Sequence, residues 1–98
     1  MASVPEVIAS ARVSLDEVEA MAHVIAGVPV GVVSAEIDGV VVFAEGLPEA
    51  RLRSVRNKLA ATLHVPPVAV DVRPIEALPL LGSGKVDYRQ LEARRQVR

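Results

Sequence analysis

The stretch Val30-Gly-Val-Val-Ser-Ala-Glu-Ile37, Asp38-Gly39, Val40-Val-Val-Phe-Ala-Glu45 contains two β-branched runs joined by an Asp-Gly pair. Asp-Gly tolerates the positive φ values that a tight hairpin turn demands, so the stretch predicts a β-hairpin. Gly46 and Pro48 end it. Upstream, Ser14-Leu-Asp-Glu17 has capping-box spacing: the serine oxygen can accept the Glu17 amide while the Glu17 carboxylate reaches back. Leu15, Val18, Ala22 and Ile25 then share one helical face, and Gly27 is a natural stop, which predicts a helix over 15–26. Asp16, Glu17 and Glu19 lie in its first turns, where the helix dipole favours acids.

Downstream of the hairpin, Pro48 suits the first position of a second helix. Leu52, Val55, Leu59 and Leu63 repeat at helical spacing, with Arg51, Arg53, Arg56 and Lys58 mostly off that face. His64-Val-Pro-Pro67 breaks it. Val68-Ala-Val-Asp-Val-Arg73 alternates and reads as a third strand. Pro74 to Gly84 is a loop, and Asp87 can cap a last helix over about 88–96, with Arg94, Arg95 and Arg98 near its end. The expectation is a single α+β domain over residues 1–98: about three strands in a small antiparallel or mixed sheet, packed with about three helices. Residues 1–13 read as an extended lead-in.

Composition bounds what this domain can do. It has 98 residues, half of them apolar, yet Phe43 and Tyr88 are the only aromatics, so the core must be aliphatic. A net charge of −1 argues against a general nucleic-acid binder. Without cysteine there is no disulfide or thiolate metal site, and His23 and His64 lack ligand spacing, so no metal site is expected. No run approaches the roughly 20 apolar residues of a membrane span. The N-terminus Met-Ala-Ser-Val-Pro-Glu does not resemble a signal peptide, so a soluble cytoplasmic protein is expected.

The loop Gly82-Ser-Gly-Lys85 superficially suggests a phosphate-binding P-loop, but Pro79 stands where that motif needs glycine and Val86 where it needs Ser or Thr. A different chemistry fits these residues. Two glycines let the backbone turn tightly, and the lysine that follows is a long cation presented at a defined place, suited to developing phosphate or carboxylate charge. From these features alone the plain reading is a solvated surface lysine.

The wider sequence adds a resemblance. Leu78-Pro-Leu-Leu-Gly-Ser-Gly-Lys-Val-Asp-Tyr-Arg-Gln-Leu91 resembles the closing motif of the AMP-forming acyl-activating superfamily: acyl-CoA synthetases, acyl–acyl carrier protein synthetases, non-ribosomal peptide adenylation domains and luciferases. Ala11-Arg-Val-Ser-Leu-Asp-Glu-Val-Glu19 is similar to that family's Gly-x-Arg-Ile-x-x-x-Glu-Ile-Glu segment, and the resemblance covers about residues 8–95. It implies the small C-terminal lid domain of such a ligase, with Tyr88 most like fatty-acid activating members. On that pattern Lys85 is the catalytic lysine that meets the acid and the ATP phosphate, Arg12 approaches the nucleotide, and Ser83 and Gly84 border the nucleotide site. The implied partner is a large N-terminal adenylation domain, in cis or in trans, which supplies the ATP, magnesium and acid sites. CoA, phosphopantetheine or an acyl carrier protein is the implied acceptor.

Two departures stand out. Ser3-Val-Pro-Glu-Val7 lacks the family's hinge residues, and Ser10 replaces a glycine that lines the pantetheine path, which weakens thioester formation more than adenylation. A degenerate hinge favours a stand-alone chain over an excised piece of a longer enzyme. The rival expectations are a non-catalytic interaction module of the same fold, and an α+β domain in which Gly-Ser-Gly-Lys is coincidental.

Overall fold

The computed structural model describes residues 14–35 and 39–95. Helix α1 (Leu15–Ala26) leads to strands β1 (Val30–Ser34) and β2 (Val40–Glu45), then to helix α2 (Leu52–Leu63), strand β3 (Val70–Ile75) and helix α3 (Tyr88–Arg94). The fold is α+β: among the described residues, three helices pack around a mixed three-stranded sheet in the order β1-β2-β3. β1 pairs antiparallel with β2, from Val30 opposite Ala44 to Ser34 opposite Val40. β2 pairs parallel with β3, from Val40 opposite Val70 to Glu45 opposite Ile75. The parallel pair is what the intervening α2 makes possible, since a parallel neighbour needs a crossover.

The predicted caps are present. Ser14 Oγ accepts the Glu17 amide at 3.2 Å, Glu17 Oε1 accepts the Ser14 amide at 3.1 Å, and Gly27 closes α1 in the left-handed region. The buried face of α1 is Val18, Ala22 and Ala26, so Leu15 is more exposed than the periodicity predicts. Pro48 precedes a 3-10 turn, Glu49–Arg51, rather than opening α2 directly. His64, at φ 60°, ends α2: its amide and that of Val65 return to Ala61 and Ala60 carbonyls.

The third strand begins two residues later than its alternation suggests and runs through Pro74. Pro66 and Pro67 set up a 3-10 turn, Pro67–Ala69, that consumes Val68 and Ala69. Pro74 is tolerated because β3 is an edge strand, where a missing N–H breaks no ladder. Asp71 pairs with Arg73 instead of facing empty solvent.

Side chains alternate across the sheet into two cores. Val30, Val32, Val40, Val42, Ala44, Val70 and Val72 pack against α1 and α2. Val33, Val41, Phe43 and Ile75 pack beneath Leu91 of α3 and Leu78 of the long loop. Gly31 lies on this second face, where an added Cβ would sit 2.5 Å from Leu91 Cδ1. Gly39 (φ +121°) has a separate constraint: a Cβ there would run into the Ala69 carbonyl.

Candidate functional site

The loop that carries Lys85 is a small hairpin in its own right. Leu80 and Val86 form an antiparallel bridge, the Leu81 amide donates to the Lys85 carbonyl (2.7 Å), and the Gly84 amide donates to the Leu81 carbonyl (2.8 Å). This is the bonding of a three-residue hairpin loop, in which the third residue must take positive φ. Gly84, at φ +90°, is that residue. Gly82 needs no such conformation and has open space around it. The Asp87 amide ties the base of the hairpin to the Pro79 carbonyl (2.8 Å), and Asp87 Oδ1 caps α3 through the Gln90 amide.

Lys85 and Ser83 are exposed on this loop, and no carboxylate among the described residues pairs with the lysine. Leu80 is 59 % exposed and Leu81 48 %, so neither supports the core, whereas Leu78 and Leu91 are buried. The loop therefore combines an unpaired cation with two uncovered leucines on a hydrogen-bonded frame. Lys85, Ser83 and Gly84 are together there, while Arg12, Ser10 and the 3–7 hinge segment lie outside the described residues.

Beside the hairpin runs an open groove of about 560 Å³, with Leu78, Leu80, Val86, Pro29 and Ala20 as its apolar lining. Asp16, Glu19 and Glu45 supply its carboxylates. Glu45 Oε1 accepts the Leu78 amide (2.9 Å), which fixes the start of the long loop against β2. Glu19 has more partners: its carboxylate accepts the Tyr88 hydroxyl at 2.8 and 2.9 Å and the Val32 amide at 3.1 Å. Burial pushes the Tyr88 phenol up to about 12, helped by that hydrogen bond and by the negative charges of Glu19 and Asp16. Tyr88 thereby pins the first turn of α3, just beyond Lys85, to α1.

Sequence reasoning took Glu19 only as a dipole-compensating acid and Tyr88 only as a motif variant. The available signal was that Tyr88 is one of two aromatics, and a partly buried phenol needs a polar partner. Among the described residues no group of acids and histidines is arranged to hold a metal ion, and no helix is long and apolar enough to cross a membrane.

This geometry defines a class of site: an exposed lysine on a glycine loop closed by hydrogen bonds, with two uncovered leucines and an open groove beside it. Compared with known proteins, the chain matches no family model and no curated sequence.

Proposed function

We propose that this chain is the lid domain of an AMP-forming carboxylic acid ligase, which docks on a large adenylation domain and delivers Lys85 to the reacting groups. The observation that carries this reading is the Lys85 hairpin: its ammonium is unpaired among the described residues, its frame is fixed by Gly84, and Leu80 and Leu81 are uncovered beside it.

In the proposed reaction a carboxylate oxygen attacks the α-phosphorus of ATP, and pyrophosphate leaves as the acyl adenylate forms. Lys85 keeps its proton throughout. Its Nζ donates hydrogen bonds to the acid and the phosphate as charge develops, which is electrostatic stabilisation rather than proton transfer. Leu80 and Leu81 supply apolar contact with the large domain and exclude water around the ammonium. Magnesium and the nucleotide pocket belong to that large domain, with Arg12 as a further phosphate contact from the lid. A fatty acid is the proposed substrate class, and a CoA or carrier-protein thiol the proposed acceptor.

The same uncovered leucines also support a second reading, a non-catalytic module that docks to a carrier protein or synthetase without using Lys85. Pyrophosphate exchange by the reconstituted pair separates the two. Lys85→Ala is expected to leave folding within about 0.5 kcal/mol of wild type and to lower the adenylation rate roughly a hundredfold or more. Lys85→Arg is also impaired, since a planar fork does not replace a compact ammonium. Arg89→Ala is the matched control. Equal rates for wild type and Lys85→Ala, with docking unchanged, would leave only the non-catalytic module.

A further inference from the structure

A second groove, about 740 Å³, runs between α2 and the edge of β3 that is free among the described residues, and it shares no lining residue with the groove beside Lys85. We propose that it is a docking site for a short, extended, acidic segment of a partner protein, which pairs with the backbone of Val72 and sets carboxylates on Arg53 and Arg56.

The backbone register supplies the first half of the argument. The Gly46 amide donates to the Ile75 carbonyl at 2.8 Å, so Ile75 turns its polar groups toward β2. Backbone groups alternate along a strand, so Asp71 and Arg73 also bond inward, while Val70, Val72 and Pro74 face the free edge. The Val70 amide is already taken by the Pro67 carbonyl, and Pro74 has no N–H. Val72 is left with both of its backbone groups open among the described residues. An added strand therefore finds one complete residue pair, bounded on one side by the Pro67–Ala69 turn and on the other by Pro74. Longer edge-to-edge association is blocked.

Charge supplies the second half. Arg51 is committed to α1, where it donates to the carbonyls of Ala26 (2.8 Å) and Ile25 (3.3 Å), and Asp71 is neutralised by Arg73 at 2.9 Å. Arg53 and Arg56 line the groove one helical turn apart, and neither has an ion-pair partner among the described residues. Arg56 Nε is buried with no hydrogen-bond partner. Glu49 and Asp71 are the acids in this lining, and Asp71 is already paired with Arg73. Val68, 89 % exposed, together with Pro67 and Ala50, adds apolar wall for the alternate side chains of an extended segment. One ladder pair gives little affinity, so recognition rests on carboxylates meeting the two guanidiniums, the division of labour usual in strand addition.

The test is nuclear magnetic resonance titration of the full chain with synthetic Val-Glu-Val-Glu-Val and Val-Lys-Val-Lys-Val peptides, both blocked at their ends. The acidic peptide is expected to shift the Val70–Val72 amides and the Arg53 and Arg56 side chains, and to bind at least about tenfold more tightly than the basic one. Arg53→Glu, an exposed change whose folding the same spectrum reports, is expected to weaken it about tenfold. N-methylation of the peptide residue opposite Val72 is expected to weaken binding several-fold, while N-methylation of its neighbour leaves it unchanged. Equal binding of the two peptides, no shift at Val72, or full binding by every N-methylated peptide would overturn the proposal. If inorganic phosphate alone reproduces all the shifts, the groove is an anion site and strand addition is wrong.

Discussion

The two faces of the sheet are built to different depths. On one, α1 and α2 lie side by side over Val30, Val32, Val40, Val42, Val70 and Val72, and the cover is two twelve-residue helices. On the other, the cover is the seven-residue α3 and the long loop, with Leu91 fully buried and Leu78 beside it. The thick face stabilises the domain, while the thin face positions the Lys85 hairpin. An isolated helix of seven residues has little stability of its own, so α3 depends on its ties: Tyr88 to Glu19, Arg73 to the Arg94 and Arg95 carbonyls, and Arg95 to the Ser34 carbonyl at 2.6 Å.

The largest effect that would sharpen this contrast is Leu59→Ala, on the thick face. Leu59 is fully buried, so its truncation is expected to cost about 4 kcal/mol in chemical denaturation. The loss should be global, with amide exchange accelerating throughout the sheet. Leu91→Ala is expected to cost less, about 3 kcal/mol, but to loosen one region. Exchange at Leu81, Gly84 and Asp87, the amides that close the Lys85 hairpin, should speed up more than exchange in α1. Uniform acceleration in Leu91→Ala would break the comparison, because the thin face would then be part of one cooperative core.

Gly31→Ala is a smaller probe of the same layer. The new methyl meets the mobile end of Leu91, so overpacking costs about 1–2 kcal/mol, and combining it with Leu91→Ala should recover much of that cost.

Tyr88→Phe is the mildest change and tests the tether by pH. The folded phenol holds its proton to about 12, against 10.0 for a free tyrosine. The fold therefore favours the protonated form, and the stability this contributes is complete below pH 10 and lost as pH rises from 10 toward 12. The gap between wild type and Tyr88→Phe should be constant at neutral pH and narrow across that window. Parallel curves up to pH 12 would show that the Tyr88–Glu19 contact carries no linkage.

Much of the framework was legible because its signals are local. Ser14 and Glu17 announce α1 three residues apart, Asp87 announces α3, and the valine runs about Asp38-Gly39 announce the hairpin, of which β1 ends at Ser34 and residues 36–38 lie outside the described ones. The parallel placement of β3 was not separable from an antiparallel one by pattern, since both alternate alike. The start of β3 was displaced by Pro67, whose turn takes up residues that look like strand. The ties between distant elements were illegible for another reason. Glu19 and Tyr88 are 69 residues apart, and Arg51 reaches carbonyls 25 and 26 residues away. Nothing in the spacing of such pairs distinguishes them from solvated charges until packing brings them together. Exposure of Leu80 and Leu81 beside Lys85 is what the sequence leads one to expect of a domain that works by docking, and both leucines are uncovered.

The hairpin that presents Lys85 also sets how its length could change. Leu80 opposite Val86 and Gly84 at its left-handed corner fix the register of the loop. One residue inserted between Ser83 and Gly84 that slipped this register would shift the returning arm by a single step and send the ammonium to the other side of the ribbon. One that left Leu80 opposite Val86 would make a four-residue loop, a different turn in which Gly84 no longer holds the third position. The same insertion therefore has two distinct outcomes, and the side on which Lys85 emerges tells them apart.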